Sequence, residues 1–271
     1  MPYLATLSFS VLAFGAFGMP SDTPSENEKA PNAFIKHPVE QNALLSKARA
    51  ANGDLYSTLQ SFVCLEEIER YREDLKRSKT RLIDHVSAHI SFENGVEHYN
   101  DVRQNERSRA SLPEISGAWS EGEFGTLLQQ TGKLLEIQPV SFVAFETTNG
   151  VESAVYRFVV PENDSPWDLA VGAQHFKIPF TTDVWISVAS GEIVKIARKS
   201  ISIPEETRIS EIDWDVSLAA VNLSGKVWLL PTAAGYSVSY GESKRRERNQ
   251  MSFSNYHRYG SESSIRFDAM R

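Results

Sequence analysis

The stretch DHVSAHISFENGV, residues 84–96, alternates without a break and then turns. Val86, Ala88, Ile90 and Phe92 occupy one side of the alternation, and His85, Ser87, His89 and Ser91 the other. A period of two places successive side chains on opposite faces, so this segment predicts a strand with one buried and one solvated face. Glu93-Asn94-Gly95 follows, and Asn-Gly tolerates the positive φ that a tight hairpin requires.

The same grammar recurs along the chain. KLLEIQPVSFVAFETT (133–148), Asn149-Gly150 and VESAVYRFVVP (151–161) predict a second hairpin. DVWISVASGEIVKIARKSISIP (183–204) predicts a third, around Ser190-Gly191. In EIDWDVSL (211–218), Ile212, Trp214, Val216 and Leu218 face in, and NLSGK (222–226) turns into VWLLP. RNQMSFSNYHRY (248–259) and SSIRFD (263–268) complete about ten strands joined by short turns, which means an antiparallel sheet.

Two segments have helical spacing instead. In residues 39–60, Leu44, Leu45, Ala48, Leu55 and Leu59 fall on one broad face, with a weak point at Asn52-Gly53 where the helix could break. In GAWSEGEFGTLLQQ (117–130), Gly117-x-x-Ser120-x-Gly122 misses the G-x-S-x-G nucleophile elbow by one residue. Ser120 and Glu123 instead fit S-x-x-E, a capping box, before Phe124, Leu127 and Leu128. This predicts a helix over 121–130 with Ser120 as its cap rather than as a nucleophile. A one-sided sheet with one or two helices must curl around them, giving a mainly β (α+β) curved antiparallel half-barrel.

The 271 residues carry 41% hydrophobic and 10% aromatic side chains, enough to build a real core. A net charge of −7 argues against nucleic acid as a partner. The one basic cluster, KRRER at 244–248, is short and interrupted by an acid. Residues 1–21 hold no charged side chain, and the apolar run from Tyr3 to Gly18 suits a signal peptide or N-terminal anchor over 1–18. Residues 19–38 read as a flexible leader, and 39–271 as a single half-barrel-like domain. The expected location is therefore exported, with membrane contact only through the N-terminal segment if it stays uncleaved. Cys64 is the only cysteine, which rules out an intramolecular disulfide and predicts a buried thiol.

Other chemistry is weakly represented. On a strand, His85 and His89 stand about 13 Å apart, too far to share one metal ion; His98 could join His89 only across a two-residue loop. No metal site and no cofactor motif is expected. Asp213 and Asp215 share a strand face, with Cα atoms about 6.6 Å apart, close enough for paired acid/base work but equally at home in solvent. Glu66 and Glu67 point to opposite faces, so whichever is buried needs a partner such as Arg70 or Arg72.

VWISVASGEIVKI (184–196) resembles the V-W-I-D-x-x-T-G hairpin of the bacterial periplasmic half-barrels LolA, LolB and RseB, and GKVWLLP (225–231) resembles a strand of theirs. Ser187 stands where their Asp does and Ser190 where their Thr does. FVCLEEIERY (62–71), AWSEGEFGTLL (118–128), SPWDLAVGAQ (165–174) and RNQMSFSNYHRYGSESSIRF (248–267) are similar to segments of an uncharacterised group of exported bacterial proteins. The resemblance implies a non-catalytic binding protein of the periplasm or cell envelope, with a concave apolar face for a lipid or lipopeptide. Val184, Ile186, Trp214, Val216, Trp228 and Leu230 are the residues that would line it. The alternatives are a packed sheet that binds an envelope protein and, less in keeping with the motifs, a serine hydrolase.

Overall fold

The computed structural model describes residues 38–60 and 62–258; the expectations for residues 1–37 and the strand at 263–268 lie outside them. Helix α1 (Pro38–Leu59) leads into β1 (Phe62–Asp74), β2 (Lys79–Glu93), β3 (Val96–Gln104) and the short β4 (Arg107–Ser108). Helix α2 (Thr126–Ile137) follows, then β5 (Ser141–Thr148), β6 (Val151–Val160), β7 (Asp168–Val171) and β8 (Gln174–Lys177). The chain continues through β9 (Phe180–Ser187), β10 (Ile193–Ser200), β11 (Glu211–Leu223), β12 (Lys226–Tyr240) and β13 (Arg245–Arg258).

Eleven of these strands form one curved, open antiparallel sheet in the order β4-β3-β2-β1-β13-β12-β11-β10-β9-β6-β5. β7 and β8 make a separate ribbon. The half-barrel expected from the alternation is therefore present. Val86, Ala88, Ile90 and Phe92 are buried, as are Ile212, Trp214, Val216 and Leu218. The Asn94-Gly95 turn has φ of 53° and 85°, and Glu93 pairs with Val96, so the loop has two residues. At the β9–β10 turn the Ser187 hydroxyl accepts the Ser190 N–H at 3.2 Å.

β4 and β5 are the two edges of the sheet and successive in the chain apart from residues 109–140. That segment must therefore cross the sheet from one edge to the other, and it carries α2 with it. Leu127, Leu128, Leu134 and Leu135 are buried in the core, at helical spacing. α1 lies against α2, β9 and β10. Arg49 donates to the Leu135 carbonyl at 3.0 and 2.7 Å, and the Asn52 amide donates to the Leu128 carbonyl at 3.4 Å.

Two helix expectations are corrected. α1 runs through Asn52-Gly53 without a break, because Asn52 is buried against α2 rather than free to start a turn. The helix expected at 121–130 lies at Thr126–Ile137, and the strand expected from Lys133 begins only at Ser141. KLLEI continues the buried face of α2, which outweighs its superficial strand character.

Candidate ligand cavity

The strap that precedes α2 is held from the opposite wing of the sheet. Glu97 of β3 accepts the N–H groups of Gly125 and Thr126 at 2.7 and 2.9 Å, and that of Gly122 at 3.1 Å. Tyr99 donates its hydroxyl to the same carboxylate at 2.6 Å. These are the unpaired donors of a helix start, where a negative charge also meets the positive end of the helix dipole. Gly125 is the N-cap, and no side chain of the local sequence caps the helix. Ser120 and Glu123 therefore do not form the expected capping box. The Ser120 hydroxyl donates to the Glu123 carboxyl side chain to side chain, several residues before the helix begins.

Glu123 is fully buried, and so, almost completely, is Glu66. Burial, followed by the charge of Glu97, pushes the Glu123 carboxyl up to about 8, while the Ser120 hydrogen bond works the other way. Burial, followed by Glu123, Glu97 and Glu121, raises Glu66 well above the ordinary range. One oxygen of each has no hydrogen-bond partner. Burial thus favours the protonated, neutral form of both. The basic partner expected for Glu66 is absent: Arg70 is engaged with Asp84 at 2.7 and 2.6 Å and donates to the Ser116 carbonyl at 3.0 Å.

Beside this cluster, α2 and the strap do not fill the concave face. A cavity of about 630 Å³ remains between the strap, α2, the β7–β8 ribbon, the loop at 207–209 and strands β11 and β12. Trp214, Tyr236, Val238 and Tyr240 of the sheet line it, Trp167 and Leu169 come from the ribbon, and Trp119 from the strap. The ribbon is tied down at its base by Ser165, which donates to the Ile178 carbonyl at 2.6 Å and accepts the Trp167 N–H at 3.0 Å. Trp167 and Trp214 meet with ring centroids 5.9 Å apart. Gly122 has φ of 113°, and a β-carbon there would lie 3.3 Å from the Trp214 ring, so a glycine lets the strap rest on that indole.

Trp214 separates two buried groups of unlike character. Its indole N–H faces Glu123 but completes no hydrogen bond. Its ring lies 5.8 Å from the guanidinium of Arg198, which also sits 4.7 Å over Phe180. Arg198 is 1% exposed and has no carboxylate partner among the described residues. It donates to Gln130 at 2.8 Å and to Thr131 at 3.3 Å, leaving its Nε unpaired. Burial lowers its pKa to about 9.

Of the six residues expected at a ligand cavity, Trp214 lines it. Val184, Ile186, Val216 and Leu230 have no exposed surface and belong to the packed core. Trp228 packs edge-on against Phe62 with ring centroids 5.3 Å apart, and Lys226 lies 3.9 Å over its ring. Of the residues that sequence patterning missed, Trp119, Trp167 and Ile209 come from segments without a regular period, whereas Tyr236, Val238 and Tyr240 continue β12 beyond the stretch read as a strand. The other candidates separate. His98 does face Ser91 across the two-residue loop, but a register shift sets His89 opposite Asn100. His85 and His89 stand in solvent near Glu69 and Asp101, each at 3.9 Å. No group of three potential metal ligands occurs among the described residues. Asp213 pairs with Lys199 at 3.5 Å and Asp215 with Lys195 at 4.0 Å, both on the outer face. In the KRRER segment, Arg246 and Arg248 pair with Glu73, and Glu247 with Arg72.

No family model matches the chain, and no curated protein does. Among solved structures it is similar to a protein domain assigned to outer membrane lipoprotein sorting, from Vibrio parahaemolyticus, at 12% identity and a TM-score of 0.37, over 81% of this chain and 95% of that one. It is also similar to a DUF1329 family protein from Desulfovibrio piger, at 9% identity and a TM-score of 0.43, over 82% of this chain and 94% of that one. Among the described residues no helix is long and apolar enough to cross a membrane.

Proposed function

We propose that the chain is a non-catalytic binding protein of the bacterial cell envelope, and that its cavity holds the apolar part of a lipid, lipopeptide or similar small ligand. The observation that carries this reading is the cavity of about 630 Å³ on the concave face, walled largely by aromatic and aliphatic side chains. A volume of that size suits a small amphiphile, and apolar walls with few polar groups are the usual composition of such sites. The uncharged apolar segment at Tyr3–Gly18 supports export, followed by a leader and one half-barrel domain.

The serine-hydrolase alternative finds little support. The Ser120 hydroxyl is engaged by Glu123, a buried and neutral acid, which leaves it without a base to take its proton. Binding of the neutral dye N-phenyl-1-naphthylamine to the purified mature chain tests the proposal. Saturable fluorescence enhancement that is lost in Trp167→Ala, with the fold retained by circular dichroism, is expected. Absence of saturable binding to the wild type overturns the reading.

A further inference from the structure

The charge of the cavity wall is one-sided. Glu121 and Asp168 line the cavity, and no Lys, Arg or His does. Asp168 is already paired, with His175 at 2.6 Å and Lys177 at 3.7 Å. Glu121 has no ion-pair partner among the described residues, and Glu97 stands behind it. The guanidinium of Arg198 is sealed beneath Trp214, Phe180 and α2, that of Arg70 is engaged with Asp84, and the exposed Arg208 borders a separate pocket beyond Tyr240. An anionic head would therefore meet the uncompensated Glu121 carboxylate, with no cation among the lining residues to receive it.

The remaining walls favour the opposite charge. Trp119, Trp167, Trp214, Tyr236 and Tyr240 present five aromatic side chains around the same space as the Glu121 carboxylate. Ring faces attract a cation electrostatically, most strongly for Trp, and aromatic walls beside an acid recognise quaternary or protonated amines. We propose that the ligand's polar head is a cationic nitrogen, an alkylammonium or protonated amine, seated between these aromatic rings and Glu121. This rests on the reading of the cavity as a binding site for an apolar tail and adds the chemistry of the head.

Three decyl amphiphiles differing only in their heads test it: decyltrimethylammonium, decyl glucoside and decyl sulfate, each titrated below its micelle concentration by isothermal calorimetry. The trimethylammonium compound is expected to bind about tenfold more tightly than the glucoside, with the sulfate weakest. Glu121→Gln, at an exposed position, should weaken the trimethylammonium compound about three- to tenfold and leave the glucoside unchanged. Equal affinities, or tighter binding of the sulfate, overturn the inference while leaving the cavity reading intact. Failure of all three to bind overturns both.

Discussion

Asn52 of α1 lies over Gly132 of α2, so closely that a β-carbon added at position 132 would fall 2.0 Å from the Asn52 amide nitrogen. The missing side chain is what lets the two helices approach and the buried amide reach the Leu128 carbonyl. Gly132→Ala should therefore destabilise the fold by about 1–3 kcal/mol through overpacking, although alanine is the better helix former by up to about 1 kcal/mol. Urea denaturation of Gly132→Ala in the wild-type and Asn52→Ala backgrounds checks this. The penalty should largely vanish in the second background, where the clash is gone.

Glu97 gives α2 its start from another strand. Glu97→Ala leaves the Gly125 and Thr126 N–H groups without their acceptor and should cost about 1–2 kcal/mol, the usual loss on removing a cap. Denaturant titration gives the magnitude. Hydrogen exchange should locate the loss in the first turn of α2, while amides of β11 and β12 keep their protection.

The neutral state of Glu123 sets a pH dependence. Its folded pKa of about 8 lies above the ordinary glutamate value near 4.3, so between those two pH values the folded chain holds a proton that the unfolded chain has lost. Stability from this group is thus fully present below about pH 4.3 and declines as pH rises toward 8, at ~1.4 kcal/mol per pH unit. Glu66 is shifted in the same direction. Glu123→Gln should flatten the slope: comparable stability to wild type near pH 4.5, and a gain on the order of 2 kcal/mol or more at pH 8. Thermal melts across that range decide it. A slope unchanged by the substitution would show that Glu123 is ionised in the fold.

Arg198 is buried without a counter-charge among the described residues, and its guanidinium lies over Phe180 and beside Trp214. Replacing such a group by an apolar one of similar length is commonly neutral or stabilising, so Arg198→Met should change stability by no more than about 1 kcal/mol or raise it. Arg198→Ala, which leaves a cavity, should cost about 2–4 kcal/mol. Equal losses in both variants would mean that the guanidinium bonds to Gln130 and Thr131 dominate.

How far the sequence foretold this molecule differs element by element. β2 and β11 were legible because each alternates cleanly, and a period of two says which side faces the core. It does not say what covers that side. Val184, Ile186, Val216 and Leu230 face inward as expected yet have no exposed surface, whereas Trp214 on the same face borders open space. The difference is made by residues 109–140, whose path follows from the edge positions of β4 and β5 and leaves no local signature. Ser120 and Glu123 match a capping pattern by spacing, but the start of α2 is set by Glu97, nearly 30 residues upstream in sequence. Non-local acceptors of that kind are invisible to a motif. The pairing of Arg70 with Asp84 rather than Glu66 likewise depends on strand register, which slips beside Arg70 and Tyr71.

The first strand of the sheet pairs with the last: Ile68 of β1 lies opposite Met251 of β13, and the two strands stand near the middle of the sheet, joining its two wings. The seam between the halves therefore closes only once β13 has been made. A chain still being synthesised holds two incomplete wings, each with an unpaired inner edge and an apolar face still open to water. Pairings so distant in sequence make assembly slow, because the loop must be closed before the contacts that stabilise it exist. Late closure makes β13 the strand whose truncation would leave two half-sheets with nothing to join them.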